Sequence, residues 1–469
     1  MENAKERAIL KIPAKASAWY VASSAISRAI GALATPIFTR LLTPEEYGIY
    51  PLYNTWLGVI SVIVTLELTG AAIYRGLQRH KDESERFISS TLGLLLTLFF
   101  LFSAVYEIFR RYVNAITGLG TSVTRLMLMQ ILACAIVSLY TAKARFDYRY
   151  KTVAALNTLT ALGTPMLAIF LISARSLGGE ARIIASSLVL VLIAVPISIK
   201  ILSESRALFS RLIWRYLIKL SLPLLPHYLS MSLILKVGEI GINRIYGKEA
   251  LGKFSVALSV GMSMTVVTGG VLSALSPWII RRVKSGSYDE IKRLLLVLTK
   301  LIALSSLWML AFAPEVMAIL ASASYGTALP AVYPIALSLI PTFLSGALIS
   351  GSVYFEKSRL TALPSVLAAV LSVLLTVLVL PIADYRAVSL FLLASYTLLA
   401  ALNVMLFKRM ARKSPIDVKG TVAVFLATCA YASLLFLFRG VLSSRILLTL
   451  PLVLPLLSVS RDALRLIKE

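Results

Sequence analysis

A stripe of polar and charged side chains runs through a long apolar segment near the middle of the chain. Its members recur at spacings of 4, 4, 3 and 4 residues, and they are Tyr228, Ser232, Lys236, Glu239 and Asn243. At about 100° per residue these positions fall on one face of an α-helix. A lysine on such a face can hold an anionic group, and a carboxylate can exchange a proton or hold a cation. The spacing therefore predicts an α-helix with one polar face, whose side chains can bind an anion, a cation or a proton.

An equivalent stripe lies 204 residues earlier in the chain. Its members are Ser24, Arg28, Ala32, Thr35 and Thr39. Glu67 is a further carboxylate, set among valine, leucine and glycine residues. Glu67 and Glu239 are candidates for coupling to H⁺ or Na⁺, because a buried carboxylate can exchange a proton or hold a cation. Two alternatives stay open: Lys236 and Glu239, three residues apart, neutralise each other, and Arg28 pairs with Glu67.

The composition places these helices in a membrane. The chain has 469 residues, of which 58% are hydrophobic and only 15% are charged, and its mean hydropathy is +0.85. A soluble protein of this length needs more charged residues to cover its surface. A charge near mid-bilayer costs at least ~2.5–3.5 kcal/mol, so such residues usually face a bundle interior or a hydrated cavity. We therefore expect a cationic cavity lined by Ser24, Arg28, Thr35, Tyr228, Ser232, Lys236 and Asn243.

About fourteen transmembrane helices are predicted to position these side chains, in an all-α polytopic membrane protein. Uncharged stretches of ~20 residues, which suffice to cross a hydrocarbon core of ~30 Å, recur along the chain. The predicted spans are 17–39, 49–74, 87–109, 123–142, 153–173, 181–199, 216–242, 251–280, 291–313, 330–354, 361–381, 387–406, 421–438 and 441–459. Pro223 and Pro226 remove backbone donors, so we expect a kink or break in the seventh span. Gln130 and Asn403 are interpreted as residues that form hydrogen bonds between helices.

The distribution of charge predicts the orientation of the spans. The formal charge is +25, and the cations are dispersed between apolar stretches, which argues against nucleic acid as a partner. Of the 47 Lys and Arg residues, 32 fall on the termini and alternate loops, and 12 fall on the intervening loops. The positive-inside rule then predicts an even number of spans with both termini in the cytoplasm. We expect a multi-pass protein of the cytoplasmic (inner) cell membrane.

Two copies of a short motif, again 204 residues apart, indicate an internal repeat. The matched pairs are Arg40 and Arg244, Glu45 and Glu249, Gly48 and Gly252, and Tyr50 and Phe254. Because six spans separate the copies, the repeats are parallel, an arrangement that places a transported substrate between two halves. We predict six-helix bundles at 1–205 and 206–410, followed by two additional helices at 411–469. The motif itself is interpreted as structural, with Glu45 and Glu249 favouring the positive ends of incoming helices.

Three segments carry a resemblance to a known family. They are Arg40-Leu-Leu-Thr-Pro-Glu-Glu-Tyr-Gly48 after a first span that contains Arg28, Leu222-Pro-Leu-Leu-Pro-His227, and Phe312-Ala-Pro-Glu-Val316 after the ninth span. With the span count and orientation, the whole chain resembles the oligosaccharide flippases of the polysaccharide transporter family. That family belongs to the multidrug/oligosaccharidyl-lipid/polysaccharide exporter (MOP) superfamily.

The resemblance implies a V-shaped pair of six-helix bundles with two extra C-terminal helices. It also implies that a polyprenyl-pyrophosphate-linked oligosaccharide is flipped from the cytoplasmic to the outer leaflet by alternating access, for cell-surface polysaccharide synthesis. The expected partners are the lipid-linked oligosaccharide, membrane lipids and other polysaccharide-assembly proteins. No cofactor is expected beyond a coupling H⁺ or Na⁺.

Two other transport functions are alternatives to this one. A peptidoglycan lipid-precursor flippase differs mainly in its substrate, and a multidrug/cation antiporter would use acidic rather than cationic cavity residues. An enzyme is not expected, because the longest outer loop, 314–329, contains Glu315 as its only charged residue. The chain also has only two histidines, and it lacks Cys/His metal spacing, paired-aspartate motifs and a phosphate-binding glycine loop.

Overall fold

The computed structural model describes residues 2–352, Phe355 and 358–468. This part of the chain is almost wholly helical and contains no β-strand. The first helices are α1 (Glu2–Leu41), α2 (Pro44–Thr65), α3 (Ala71–Arg79), α4 (Ser84–Thr117), α5 (Thr121–Phe146), α6 (Tyr150–Arg175), α7 (Glu180–Glu204), α8 (Arg211–Ser221) and α9 (Leu225–Gly261). They are followed by α10 (Thr265–Ser285), α11 (Tyr288–Ala311), α12 (Ala313–Leu320), α13 (Leu329–Leu337), α14 (Leu339–Ser352), α15 (Ser358–Leu374), α16 (Val388–Ala411), α17 (Val418–Leu437), α18 (Leu442–Thr449) and α19 (Val453–Lys468).

Short irregular helical segments connect several of these helices. Turns of 3-10 helix lie at Lys81–Glu83, Leu222–Leu224, Ala323–Ala328, Leu380–Ile382, Tyr385–Ala387 and Leu450–Leu452, and a π-helical turn lies at Leu375–Val379.

Twelve helical stretches of the described chain are long and apolar enough to cross a membrane. The first predicted span lies on α1, which is not among the twelve, and the stretch Arg211–Gly261 holds the seventh span and the start of the eighth. The remaining eleven predicted spans each overlap one of the other stretches. Val353 and Tyr354, at the end of the tenth span, lie outside the described residues. The all-α polytopic fold is therefore confirmed.

The second predicted span is broken. The prediction of one helix over 49–74 is wrong, because α2 ends at Thr65 and α3 begins at Ala71. Leu66 and Glu67 adopt left-handed backbone conformations with φ of 48° and 50°, which residues other than glycine rarely adopt. The Thr65 hydroxyl accepts a hydrogen bond from the Glu67 amide at 3.2 Å. In a continuous helix the Glu67 amide would donate to a backbone carbonyl, and here the Thr65 hydroxyl takes the place of that acceptor. Glu67 therefore lies in a turn between two helices and not on a helix face.

The seventh span is interrupted where its prolines predict. Pro223 lies in the 3-10 turn that separates α8 from α9, and Pro226 lies in the first turn of α9. Further along, α9 is kinked at Gly247, whose φ of 82° and ψ of 179° are not helical. The eighth predicted span is also discontinuous, since it is shared between α9 and α10.

The chain forms two compact units, Met1–Leu229 and Ser230–Glu469, and the division falls inside α9. In the first unit, the buried core joins α3, α4, α5, α7 and α8, while α1 packs on α6. In the second unit, the core joins α10, α11, α14 and α16, and the two C-terminal helices α17 and α19 pack on α11. The predicted boundaries at 205 and 410 stay a prediction.

The first copy of the repeat motif forms the start of α2. Thr43 caps this helix, because the Glu46 amide donates to the Thr43 hydroxyl at 3.3 Å and the Thr43 amide donates to the Glu46 carboxylate at 3.0 Å. Gly179, just before α7, packs so closely that a Cβ there would overlap the Glu46 carbonyl. The first copy is therefore a capping box on which a neighbouring loop is packed, in agreement with the structural interpretation of the motif.

A buried ion pair attaches α18 to the end of the ninth span. The Arg445 guanidinium donates to both carboxylate oxygens of Glu315, at 2.5 and 2.7 Å, and it also donates to the Ala311 carbonyl. The side chain of Arg445 is only 3% exposed, whereas that of Glu315 is 37% exposed. Hydrogen bonding from Arg445 holds the pKa of Glu315, which lies between two spans, below its usual value.

Candidate functional site

All five residues of the central stripe lie on α9, as predicted. The Lys236 ammonium donates to both oxygens of the Glu239 carboxylate, at 3.0 and 3.2 Å. The side chain of Glu239 is 3% exposed and that of Lys236 is 20% exposed. The ion pair between Lys236 and Glu239, which the sequence left as an alternative, is therefore present, and it balances the charge of the buried Glu239 carboxylate.

The opposite face of α9 is packed tightly against its neighbours. A Cβ at Gly238 would overlap Val388 at the start of α16, and a Cβ at Gly241 would overlap Thr376 in the π-helical turn. Since successive helical residues are about 100° apart, these two glycines lie on the side of α9 away from Lys236. Close backbone packing thus fixes which face carries the stripe, and Tyr228, Ser232 and Asn243 are partly exposed on it.

The stripe on α1 is less enclosed. Ser24 and Arg28 are exposed, and Thr35 is half-buried with its hydroxyl donating to the Gly31 carbonyl at 3.0 Å. Arg28 does not pair with Glu67: among the residues that the structure describes, the Glu67 carboxylate makes no ion pair and no side-chain hydrogen bond. Arg28 belongs to the first unit and Lys236 to the second.

The break in the second span brings two predicted site residues together. A Cβ at Gly70 would lie 3.3 Å from the Glu67 Cγ and 3.4 Å from the Tyr228 hydroxyl oxygen. The Gly70 amide donates to the Glu67 carbonyl at 3.0 Å and closes the turn. Glu67 is therefore half-buried on a left-handed turn, and the Tyr228 phenol from the start of α9 lies beside Gly70 of the same turn.

A buried hydroxyl network in the first unit confirms the interpretation of Gln130. Its amide oxygen accepts hydrogen bonds from Tyr53 and Ser187, both at 2.8 Å, and from Ser186 at 3.3 Å. These residues join α2, α5 and α7. Asn403 likewise donates to Ser345 at 3.3 Å, between α16 and α14.

An arginine that the sequence did not single out lies in an aromatic cluster. The Arg182 guanidinium carbon is 4.5 Å from the Phe38 ring centre, 4.7 Å from that of Tyr47 and 4.2 Å from that of Tyr50. Tyr47 and Tyr50 belong to the repeat motif, but their partner is 132 or more residues away in sequence. The motif was visible in the sequence, whereas its cation–π contact with α7 was not.

No group of three or more His, Cys, Asp or Glu side chains in the described part of the chain is arranged to hold a metal ion. The site chemistry in this part of the chain consists of the two cations, the carboxylates of Glu67 and Glu239, and the hydroxyl and amide groups around them.

Comparison with known proteins identifies the family. A family model described as polysaccharide biosynthesis protein matches residues 14–283, which is more than half of the chain. The chain belongs to this family. The matched region contains the segments Arg40–Gly48 and Leu222–His227, on which the resemblance rested, and ends before Phe312–Val316. A search of curated protein sequences finds no match.

Solved structures of MOP-superfamily transporters share the fold of this polysaccharide biosynthesis protein. The lipid II flippase MurJ, in an inward closed conformation, is 10% identical with a TM-score of 0.70, over 94% of this chain and 98% of that one. An inward-facing multidrug resistance MATE transporter is 16% identical with a TM-score of 0.65, over 82% and 94%. A MOP-superfamily transporter from Pyrococcus furiosus is 16% identical with a TM-score of 0.62, over 85% and 96%. The protein is therefore a multi-pass membrane protein of polysaccharide biosynthesis with a MOP-superfamily transporter fold.

Proposed function

We propose that the protein flips polyprenyl-pyrophosphate-linked oligosaccharides from the cytoplasmic to the outer leaflet by alternating access. The observation that carries this proposal is the family match over residues 14–283, which links the chain to polysaccharide biosynthesis. The fold supports it, because a structural neighbour over 94% of the chain is described as a lipid II flippase. We place the protein in the cytoplasmic cell membrane with both termini in the cytoplasm. This orientation follows from the 32 Lys and Arg residues on the termini and alternate loops, against 12 on the intervening loops.

The cations on the two stripes favour an anionic substrate. Arg28 is exposed on its helix, and Lys236 keeps an accessible portion while its charge is partly balanced by Glu239. A pyrophosphate carries several acceptor oxygens and binds arginine and lysine through charge-assisted hydrogen bonds. We assign Arg28 and Lys236 to binding of the pyrophosphate, and Ser24, Thr35, Tyr228, Ser232 and Asn243 to binding of the adjoining sugar.

Glu67 is the stronger of the two candidates for ion coupling. Its carboxylate is half-buried without a side-chain partner in the described chain, so it is available to take up a proton or Na⁺. Glu239 is already bound by Lys236. A cycle of protonation at Glu67 would change the charge of a turn whose Gly70 lies beside Tyr228, a residue of the proposed substrate-binding stripe.

A peptidoglycan lipid-precursor flippase is the nearest alternative, because it needs the same cationic recognition of a lipid pyrophosphate. A multidrug/cation antiporter is a second alternative that shares the fold. Both are transporters, as are the family and its structural neighbours, which is consistent with a protein that is not an enzyme.

The substrate class is tested by native mass spectrometry of the protein purified gently from its own host membrane. We expect a bound polyprenyl-pyrophosphate sugar in the wild type and its loss in Arg28→Ala and in Lys236→Ala. Lys300→Ala is the matched control, because Lys300 is also an exposed cation within a predicted span but lies on neither stripe. Bound phospholipid alone, displaced by a small organic cation, would favour the antiporter instead.

Removal of Lys236 alone leaves Glu239 buried without its counter-charge, which by itself destabilises a protein. The double variant Lys236→Met with Glu239→Gln removes both charges and separates the two effects. We expect this variant to accumulate normally in the membrane and still to lose the bound substrate. Retention of the substrate would contradict the role of Lys236.

Coupling is tested with Glu67→Gln in proteoliposomes that carry a proton or Na⁺ gradient. We expect the wild-type rate to rise with the appropriate gradient and the variant rate to be independent of it. Glu249→Gln, at an exposed carboxylate, is the control and should respond like the wild type. An unchanged response in Glu67→Gln would exclude this residue as the coupling group.

A further inference from the structure

The helix that precedes α9 is strongly amphipathic. One side of α8 carries the buried residues Ile213, Leu217 and Ser221, and another carries the exposed cations Arg211, Arg215 and Lys219. The cations are spaced by four residues, so they form a single row along the helix. Among the described residues none of the three forms an ion pair with a carboxylate.

The length of α9 places α8 outside the hydrocarbon core. From Leu225 to its kink at Gly247, α9 rises about 33 Å at ~1.5 Å per residue, which already crosses a core of ~30 Å. The 3-10 turn at Leu222–Leu224 separates the two helices. We therefore place α8 in the interface region, and the positive-inside rule places it on the cytoplasmic side.

Contacts with α4 hold α8 and the segment before it in place. The indole nitrogen of Trp214 donates to the Ser90 carbonyl at 2.9 Å, and the Trp214 ring meets Phe209 edge to face at 4.9 Å. A Cβ at Gly93 would overlap the Leu208 carbonyl, so the backbone of this segment lies directly on α4. The orientation of the row of cations is thus fixed by the fold.

A groove of about 610 Å³ runs beside the row of cations. Its lining includes Arg211, Arg215 and Lys219 together with the apolar side chains Phe209, Trp214 and Leu222, and it includes no acidic residue. Leu212, next to the row, is exposed as well. A surface that combines unpaired cations with exposed apolar side chains is suited to the boundary between head groups and acyl chains.

We infer that this groove binds an anionic phospholipid of the cytoplasmic leaflet, with the phosphate on the row Arg211, Arg215 and Lys219 and the acyl chains against Phe209 and Leu222. Charge complementarity identifies the occupant, because an apolar ligand would leave three cations without a partner and a water-soluble anion would leave the apolar side chains exposed. This lipid is distinct from the transported substrate, whose proposed contacts lie on α1 and α9.

The test uses the full-length protein, delipidated in detergent and titrated with phosphatidylglycerol or phosphatidylcholine under native mass spectrometry. A basic residue near an anionic surface changes binding about fivefold, so we expect Arg211→Gln with Arg215→Gln and Lys219→Gln to weaken phosphatidylglycerol binding up to about 150-fold. Phosphatidylcholine binding should change much less. The matched control is Arg281→Gln with Lys284→Gln and Arg293→Gln, which removes three exposed cations from the ends of α10 and α11 that flank another connection predicted to be cytoplasmic.

A second variant guards against a folding defect. Arg211→Lys with Arg215→Lys keeps the charge and should keep the preference for phosphatidylglycerol. The inference is overturned if the triple glutamine variant of α8 keeps that preference, or if the control loses it equally. Displacement of phosphatidylglycerol by an equimolar polyprenyl phosphate, abolished by the same α8 variant, would also overturn it by assigning the groove to the substrate carrier.

Discussion

Replacement of Glu315 by glutamine tests how α18 is attached to the end of the ninth span. The change leaves the Arg445 guanidinium, which is 3% exposed, without its counter-charge. Breaking a buried pair by removal of one partner costs about 3–5 kcal/mol, and a hydrogen bond to a charged group contributes about 1.5–3 kcal/mol. Because Glu315 itself is 37% exposed, water screens part of this interaction. We therefore expect a loss of about 2 kcal/mol.

Hydrogen exchange of the amides in Leu442–Thr449 measures this loss locally. A reduction of about 2 kcal/mol in the free energy of opening predicts about 30-fold faster exchange in α18. The control is Glu107→Gln, because Glu107 accepts from Arg125 in the same bidentate way at 2.7 and 3.0 Å, but both side chains are exposed. No measurable change is expected there.

Two further results are expected for the same ion pair. The double variant Glu315→Gln with Arg445→Met should recover most of the protection, because a buried pair replaced by uncharged groups is often nearly neutral. The pKa of Glu315 is lowered by Arg445, so the contribution of the pair is present above the usual carboxylate pKa and is lost as the pH falls through the lowered value. Wild-type exchange rates in α18 for Glu315→Gln at neutral pH would show that the ion pair does not stabilise this helix.

Two other substitutions test the packing of the first unit. Gly93→Ala places a methyl group on the Leu208 carbonyl, so it should lower the free energy of unfolding by about 1–3 kcal/mol and reduce membrane abundance. The control is Gly120→Ala, where a Cβ would have nothing within 4 Å, and it should behave as the wild type. Equal abundance of the two variants would contradict the close contact at Gly93. Gln130→Leu removes the acceptor of three buried hydroxyls, including that of Tyr53. It should lower the free energy of unfolding by about 2–3 kcal/mol, measured by thermal unfolding. An unchanged unfolding temperature would show that the hydroxyls find other acceptors.

The helices were predictable because lipid imposes a simple requirement on the sequence. Each span must be about 20 apolar residues long and must satisfy its own backbone hydrogen bonds. The break at Pro223 was predictable for a similarly local reason. The break at Leu66 and Glu67 was not, because neither residue type favours a left-handed conformation and the hydroxyl of Thr65 that supports it gives no distinctive sequence signal.

Local partners in the site were also predictable, whereas distant ones were not. The contact of Lys236 with Glu239 follows from their spacing on one helix. The contact of Arg445 with Glu315 joins residues 130 positions apart, and no periodicity connects them. Tyr228 was expected on the stripe of α9, but only the fold shows that its hydroxyl lies beside the turn of Glu67.

The proposed activity of the protein is translocation of a lipid-linked oligosaccharide. The most direct measurement reconstitutes it into vesicles with a fluorescent polyprenyl-pyrophosphate oligosaccharide in one leaflet, and follows the appearance of the glycan in the other leaflet by its accessibility to a membrane-impermeant glycosidase. We expect translocation by the wild type that is accelerated by an ion gradient, lost in Arg28→Ala with Lys236→Ala, and retained in Lys300→Ala. Vesicles that accumulate an organic cation but never expose the glycan would show that the protein is an antiporter and not a flippase of lipid-linked oligosaccharides.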